Sequence, residues 1–169
     1  MKKEPSERRQ RRLLKKLDPD FVSPIPRRGE KVPCIVTDVY DGDTLTAIYI
    51  YQGAPLKIRL RIFGIDAPEI RKKGNTDLEK EAAIAVKNFV IKWLKNQDSK
   101  KLYLQISKFD KYGGRYIGDI LVNVSDHKEP AYKSLSETLL EADLVKPYTG
   151  SMKQPWESSK LRKIVKEAE

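Results

Sequence analysis

Acidic and cationic side chains meet in three short stretches: YDGDT at residues 40–44, RIFGIDAPE at 61–69 and DKYGGR at 110–115. Carboxylate oxygens are the ligands that hard cations prefer, and the planar fork of an arginine can hold two phosphoryl oxygens at once. In the first stretch Asp41 and Gly42 suit a tight hairpin, since Asp-Gly readily takes the positive φ angles of a type I′ turn. Asp43 is not explained by that turn. A second carboxylate at the start of the returning strand repels the first and has poor strand propensity. Taken alone, these residues also read as a solvated turn that is acidic by chance. In the second stretch Asp66 and Glu69 flank Pro68, directly after a segment bearing Arg59 and Arg61. The alternating ligand spacing, central glycine and terminal acid of an EF-hand loop are absent.

The elements that must position these residues are legible in the apolar pattern. Cys34 to Tyr40, Thr44 to Tyr51 and Leu56 to Phe63 read as strands of a meander, with a second turn at QGAP. Leu56, Ile58, Leu60 and Ile62 alternate with Lys57, Arg59, Arg61 and Phe63, so one face enters the core and the other carries the cations. A helix follows, with Thr76 as its N-cap and Glu79 completing a capping box. Ala82, Val86, Phe89, Val90, Trp93 and Leu94 form its buried stripe, and Lys80, Lys87, Lys92 and Lys95 take the wet face. Two further strands come from KLYLQISKFD and RYIGDILVNV, joined by KYGG. A second helix is expected in KSLSETLLEA, with Leu135, Leu139 and Leu140 on one face. A third is expected in PWESSKLRKIVKEAE, with proline at its first turn. The predicted class is α+β: a five-stranded OB-type β-barrel with three α-helices.

The 169 residues suffice for one compact domain, expected over residues 31–169 and preceded by a flexible basic arm over residues 1–30. That arm could become a short helix on a phosphate backbone, serve as a nuclear address, or stay a solvated tail. A net charge of +10 attracts polyanions, whether nucleic acid or an anionic membrane face. No apolar run approaches the roughly 20 residues that span a bilayer, and the N-terminus has no apolar core of a secretion signal. The expected location is therefore intracellular, cytoplasmic or nuclear. A membrane-surface role needs an amphipathic face that RRQRRLLKKLDPD barely offers. The single cysteine, Cys34, rules out an intramolecular disulfide and reads as a small core residue. One histidine, His127, in a polar loop, makes a Ser-His-Asp triad or multi-histidine zinc site hard to build.

In this order, and with a helix between the last two, YDGDT, RIFGIDAPE and DKYGGR resemble the motifs of the staphylococcal nuclease (thermonuclease) family, over roughly residues 33–165. The resemblance implies a Ca2+-dependent phosphodiesterase, hydrolysing DNA or RNA with little sequence specificity and leaving 3′ phosphates. It makes Asp43 and Asp66 calcium ligands together with the backbone carbonyl of Ala67. Glu69 would orient or deprotonate the attacking water, and Arg61 and Arg115 would stabilise the phosphoryl oxygens. Lys111, Tyr112 and Tyr148 would bind substrate, expected to be single-stranded DNA or RNA held by a monomer without stable membrane association. Arg59 matches no required position and reads as a surface cation. The family pattern places one glycine before its second arginine; here Gly113 and Gly114 precede Arg115. The additional residue is either absorbed in the turn as a bulge or displaces the guanidinium. The alternative function is a catalytically impaired OB-fold module that binds nucleic acid or acts as an adaptor.

Overall fold

Alternation builds the first half of the sheet. In the computed structural model, which describes residues 28–51, 53–71, 74–109, 114–150 and 152–168, β1 (Lys31–Val39), β2 (Thr44–Tyr51) and β3 (Ala54–Ile62) form the expected antiparallel meander. Ile58, Leu60 and Ile62 of β3 are buried, Lys57 and Arg59 are exposed, and Arg61 is half-buried. Cys34 packs into the core from β1, where a register shift between Val36 and Asp38 marks a bulge.

The remaining barrel strands are β5 (Leu102–Phe109) and β6 (Tyr116–Asn123), an antiparallel pair. Between β3 and β5 lie a two-residue strand β4 (Ile65–Asp66) and the helix α1 (Asp77–Lys95). β5 joins β1, and β6 returns to pair with β3 in parallel, setting Leu60 opposite Tyr116 and Arg61 opposite Ile117. The order β3-β2-β1-β5-β6 is thus closed into a five-stranded mixed barrel. Closure removes the sheet edges that an open meander would leave unpaired.

Three short elements were not signalled by the pattern: β4, β7 (Tyr132–Ser134), which pairs with β6, and β8 (Lys146–Pro147), which pairs with β4. Strands of two or three residues carry too few alternations to register as a period. The second helix is α2 (Leu135–Glu141), with a full capping box between Ser134 and Glu137. Its Leu135 and Leu139 are buried, but Leu140 is exposed, because one helical step past Leu139 turns the side chain away from the core. The third helix, α3 (Ser158–Glu167), begins after the N-cap Glu157, so Pro155 lies ahead of it and not in its first turn. α3 packs on α1, whose Ala82, Val86 and Val90 are buried while Phe89, Trp93 and Leu94 are partly buried against the core. Thr76 caps α1 by accepting from the Glu79 N–H at 3.1 Å. Residues 1–27, and with them most of the expected arm, lie outside the described residues. Among the described residues no helix is long and apolar enough to cross a membrane.

Two features of β6 make the closure sensitive. A Cβ on Gly118 would stand 2.2 Å from the Gln105 carbonyl oxygen and 2.9 Å from the Ile106 Cα, so the neighbouring backbone leaves no room for a side chain. Gly118→Ala is expected to lower stability by about 1–3 kcal/mol in urea unfolding, the usual cost of overpacking. An unchanged midpoint would show that β5 and β6 can separate freely. Asp119, one residue on, ties the barrel to α2: its carboxylate accepts from Ser136 Oγ, from the Ser136 N–H at 3.4 Å and from its neighbour Ile120 N–H at 2.8 Å. Burial outweighs these bonds and raises its pKa from 3.8 to about 6. The folded state then holds this proton more tightly than the unfolded chain. Its stabilising contribution is complete below the unfolded value and is lost as pH rises through about 6. Asp119→Asn should therefore gain about 2–3 kcal/mol relative to the parent between pH 4 and 7, read by urea unfolding at each pH. A pH-independent difference would mean that the carboxyl titrates normally.

Candidate active site

The turn between β1 and β2 is wider than Asp-Gly alone suggests. Asp143 is the only non-glycine with positive φ among the described residues, and Gly42 is not among the positive-φ glycines, so the turn is not type I′. Instead the N–H groups of Tyr40 and Asp41 both donate to the Thr44 carbonyl, at 2.9 and 3.2 Å. The Asp41 carboxylate accepts from the Asp43 N–H at 3.2 Å, an Asx-type closure. Gly42 is required for a different reason: a Cβ there would meet Val86 Cγ1 at 2.6 Å and Ala67 Cβ at 2.8 Å. The turn is pressed against α1 and the segment after β4, which points Asp43 inward.

Asp43 is accordingly 3% exposed. Its Oδ2 accepts from the Ala67 N–H at 3.1 Å, and its Oδ1 accepts from Thr44 Oγ1 at 3.0 Å and from the Arg61 guanidinium. Arg61 reaches there because β2 and β3 set it directly across from Thr44. Its other terminal nitrogen donates to the Ile65 carbonyl at 3.3 Å and lies 3.7 Å from Asp66 Oδ1. Asp66, on β4, is 4% exposed and is held in register by Lys146 of β8. Its Oδ1 lies 2.7 Å from Lys153 Nζ, and the same ammonium pairs with Glu69. The Asn75 amide in turn donates to the Glu69 carbonyl, fixing the backbone from which that acid projects.

Three nearly buried aspartates in so small a space oppose one another. Burial, and then the charge of Asp43, push the Asp41 carboxyl above its ordinary range. Burial acts to lower the pKa of the Arg61 guanidinium, but Asp43, Asp66 and Asp41 outweigh it and raise it. Lys153 behaves alike: Asp66 and Glu69 outweigh the effect of burial.

Of these groups Asp41, Asp43, Arg61, Glu69 and Lys153 line a polar cleft of about 680 Å³, and Asp66 adjoins it through its contacts with Arg61 and Lys153. Arg115 and Tyr148 line it too, as do Arg71, Lys108, Arg59 and Tyr40. The Arg61 guanidinium lies 5.8 Å from the centroid of the Tyr148 ring, and the Arg59 guanidinium 4.8 Å from that of Tyr40. The Tyr148 N–H is fixed by the Gly64 carbonyl at 2.8 Å. Ahead of Arg115, Gly114 takes a φ of 76°, a conformation costly for other residues, and Arg115 enters the cleft that holds Arg61 and Glu69. Lys111 and Tyr112 lie outside the described residues.

Asp43, Arg61, Asp66, Ala67 and Glu69 are therefore brought together from a turn and from the end of β3 through the segment after β4. Lys153 and Arg71 were not singled out by sequence reasoning. Neither stands in a motif or at a periodic spacing, and both are common basic residues in a chain with 34 lysines and arginines. Among the described residues no group of three or more His, Cys, Asp or Glu side chains stands ready as a metal cage.

No curated protein sequence matches the chain. The family model described as staphylococcal nuclease homologue matches residues 59–169, beginning inside β3, so it includes Arg61, Asp66, Glu69 and Arg115 but not the turn that bears Asp43. With that match over most of its length and a closed mixed barrel bearing three helices, the chain belongs to the staphylococcal nuclease homologue family.

Proposed function

We propose that the protein is a Ca2+-dependent nuclease that hydrolyses phosphodiester bonds of single-stranded DNA or RNA with little sequence specificity. The observation that carries this reading is the ion-paired cluster of Asp43, Asp66, Arg61 and Glu69, of which Asp43, Arg61 and Glu69 line a cleft that also bears Arg59, Arg71, Lys108, Arg115 and Lys153. Family membership supports nuclease chemistry, and a net charge of +10 supports a polyanionic substrate.

The donor set fits a hard divalent cation. Asp43 and Asp66 offer only oxygen, both are nearly buried, and their mutual repulsion is the kind that a bound cation relieves. Asp66 Oδ1 also receives no well-directed hydrogen bond, although Lys153 stands close to it. The metal would be held by Asp43, Asp66 and the Ala67 carbonyl, and would supply positive charge to a phosphoryl oxygen and a more acidic water.

The chain's own residues do the rest. Glu69, a third exposed at the cleft wall, holds the attacking water and takes its proton. Arg61 and Arg115 donate to the equatorial oxygens as charge builds on them, a contribution commonly worth about 2.7–4 kcal/mol for each donor. Tyr148, with Tyr112 and Lys111, steadies the nucleotide; stacking suits a general nuclease because every base presents a π face.

Glu69→Gln should bind labelled single-stranded DNA as the parent does, by fluorescence anisotropy, yet lose about 10²–10⁴-fold in kcat. Turnover equal to the parent's would remove Glu69 from the mechanism. Chelation with EGTA should abolish cleavage by the parent and added calcium should restore it; cleavage that persists in chelator would sink the calcium dependence. Firm binding with no cleavage under any condition would instead favour the adaptor reading.

A further inference from the structure

Lys153 stands between β8 and α3, outside all three motifs that carry the family resemblance. In the surface lysine pairs elsewhere the carboxylate stays in water: Asp77 is 101% exposed beside Lys80, and Asp143 is 49% exposed beside both Lys160 and Lys163. Lys153 differs. It places its Nζ 2.7 Å from an Asp66 side chain that is 6% exposed, and bridges to Glu69 as well. Ordering so long a side chain costs much rotamer freedom, and burying its charge costs more unless it is paired. The acid pair supplies that compensation.

We propose that Lys153 is the built-in counter-ion of Asp66 and Glu69, and that a divalent cation reaches Asp66 by displacing its ammonium. This rests on the reading of Asp66 as a metal ligand. An ammonium and a metal ion compete for the same oxygen lone pairs and repel each other, so occupancy of Asp66 Oδ1 is exclusive. Arg61 is not the group displaced, because it is anchored on β3 by Asp43 and by the Ile65 carbonyl. Lys153 comes from a loop and can withdraw. Once withdrawn, its ammonium remains in the cleft with Arg71 and Arg115, available to substrate phosphates. Lys153 is thus a positioning residue that sets metal affinity and couples metal entry to phosphate binding.

The test is calorimetric titration of the full chain with calcium chloride alone, together with thermal unfolding in EGTA, for the parent, Lys153→Met, Lys153→Arg and Asp66→Asn. Lys153→Met should bind calcium about tenfold more tightly, equivalent to about 1.4 kcal/mol, and should melt lower than the parent in chelator. Lys153→Arg should restore the parent's affinity, which a merely structural role would not require. Lys153→Gln should behave as Lys153→Met does and replaces it if the methionine variant does not fold. Calcium binding unchanged or weakened in Lys153→Met, while Asp66→Asn still abolishes it, overturns the counter-ion role and leaves the metal site standing. Binding that survives in Asp66→Asn overturns the metal-site reading and this inference together.

Discussion

The Asp43 carboxylate is held at once by the Arg61 guanidinium, the Ala67 N–H and the Thr44 hydroxyl, and these three donors come from three separate segments. A carboxylate so nearly withdrawn from water persists only where donors replace its hydration. The β1–β2 turn, the end of β3 and the start of the segment after β4 must therefore arrive together. Much of the local architecture follows from that demand. Gly42 lets the turn press against Val86 and Ala67, the β2–β3 register sets Arg61 across from Thr44, and the short β4–β8 ladder keeps Asp66 within reach of both cations.

The barrel supplies the rigidity that this arrangement needs. Arg61 lies where β3 is paired on both sides, antiparallel to β2 and parallel to β6, so its backbone has little freedom to drift. The same parallel pairing carries Arg115, just ahead of β6, to the mouth of the cleft. Sites placed on paired strands hold their geometry better than sites on loops. Glu69 and Lys153 lie outside the strands, where side chains can exchange partners at lower cost. A fixed arginine beside exchangeable acid and lysine partners suits the cation and phosphate binding proposed for this site.

Long periodic elements were legible because many residues agree on one answer. The alternation through β3 involves four apolar positions and the capped stripe of α1 six, and the observed elements follow them. Isolated choices fared worse. Leu140 was placed on one helix face with Leu135 and Leu139 but faces water, and Pro155 marks the approach to α3 without entering it. At Gly42 the glycine was expected for backbone angles and is needed for close packing, a cause that depends on Val86, more than forty positions away. Lys153 had no local signal at all, since its meaning comes from Asp66 and Glu69, 84 positions away from it in the latter case.

By itself the amino-acid sequence determined the order of barrel strands and long helices, the shared face of Arg59 and Arg61, and the three motifs whose acids and arginines meet, because spacing and residue type act through the chain's local geometry. Tertiary structure alone decided the parallel closure of β3 on β6, the burial of Asp41, Asp43 and Asp66 to 8%, 3% and 4% exposure, and the arrival of Lys153 among them. Pairing partners and desolvation are properties of residues distant in the chain, and electrostatic strength depends on the water they jointly exclude.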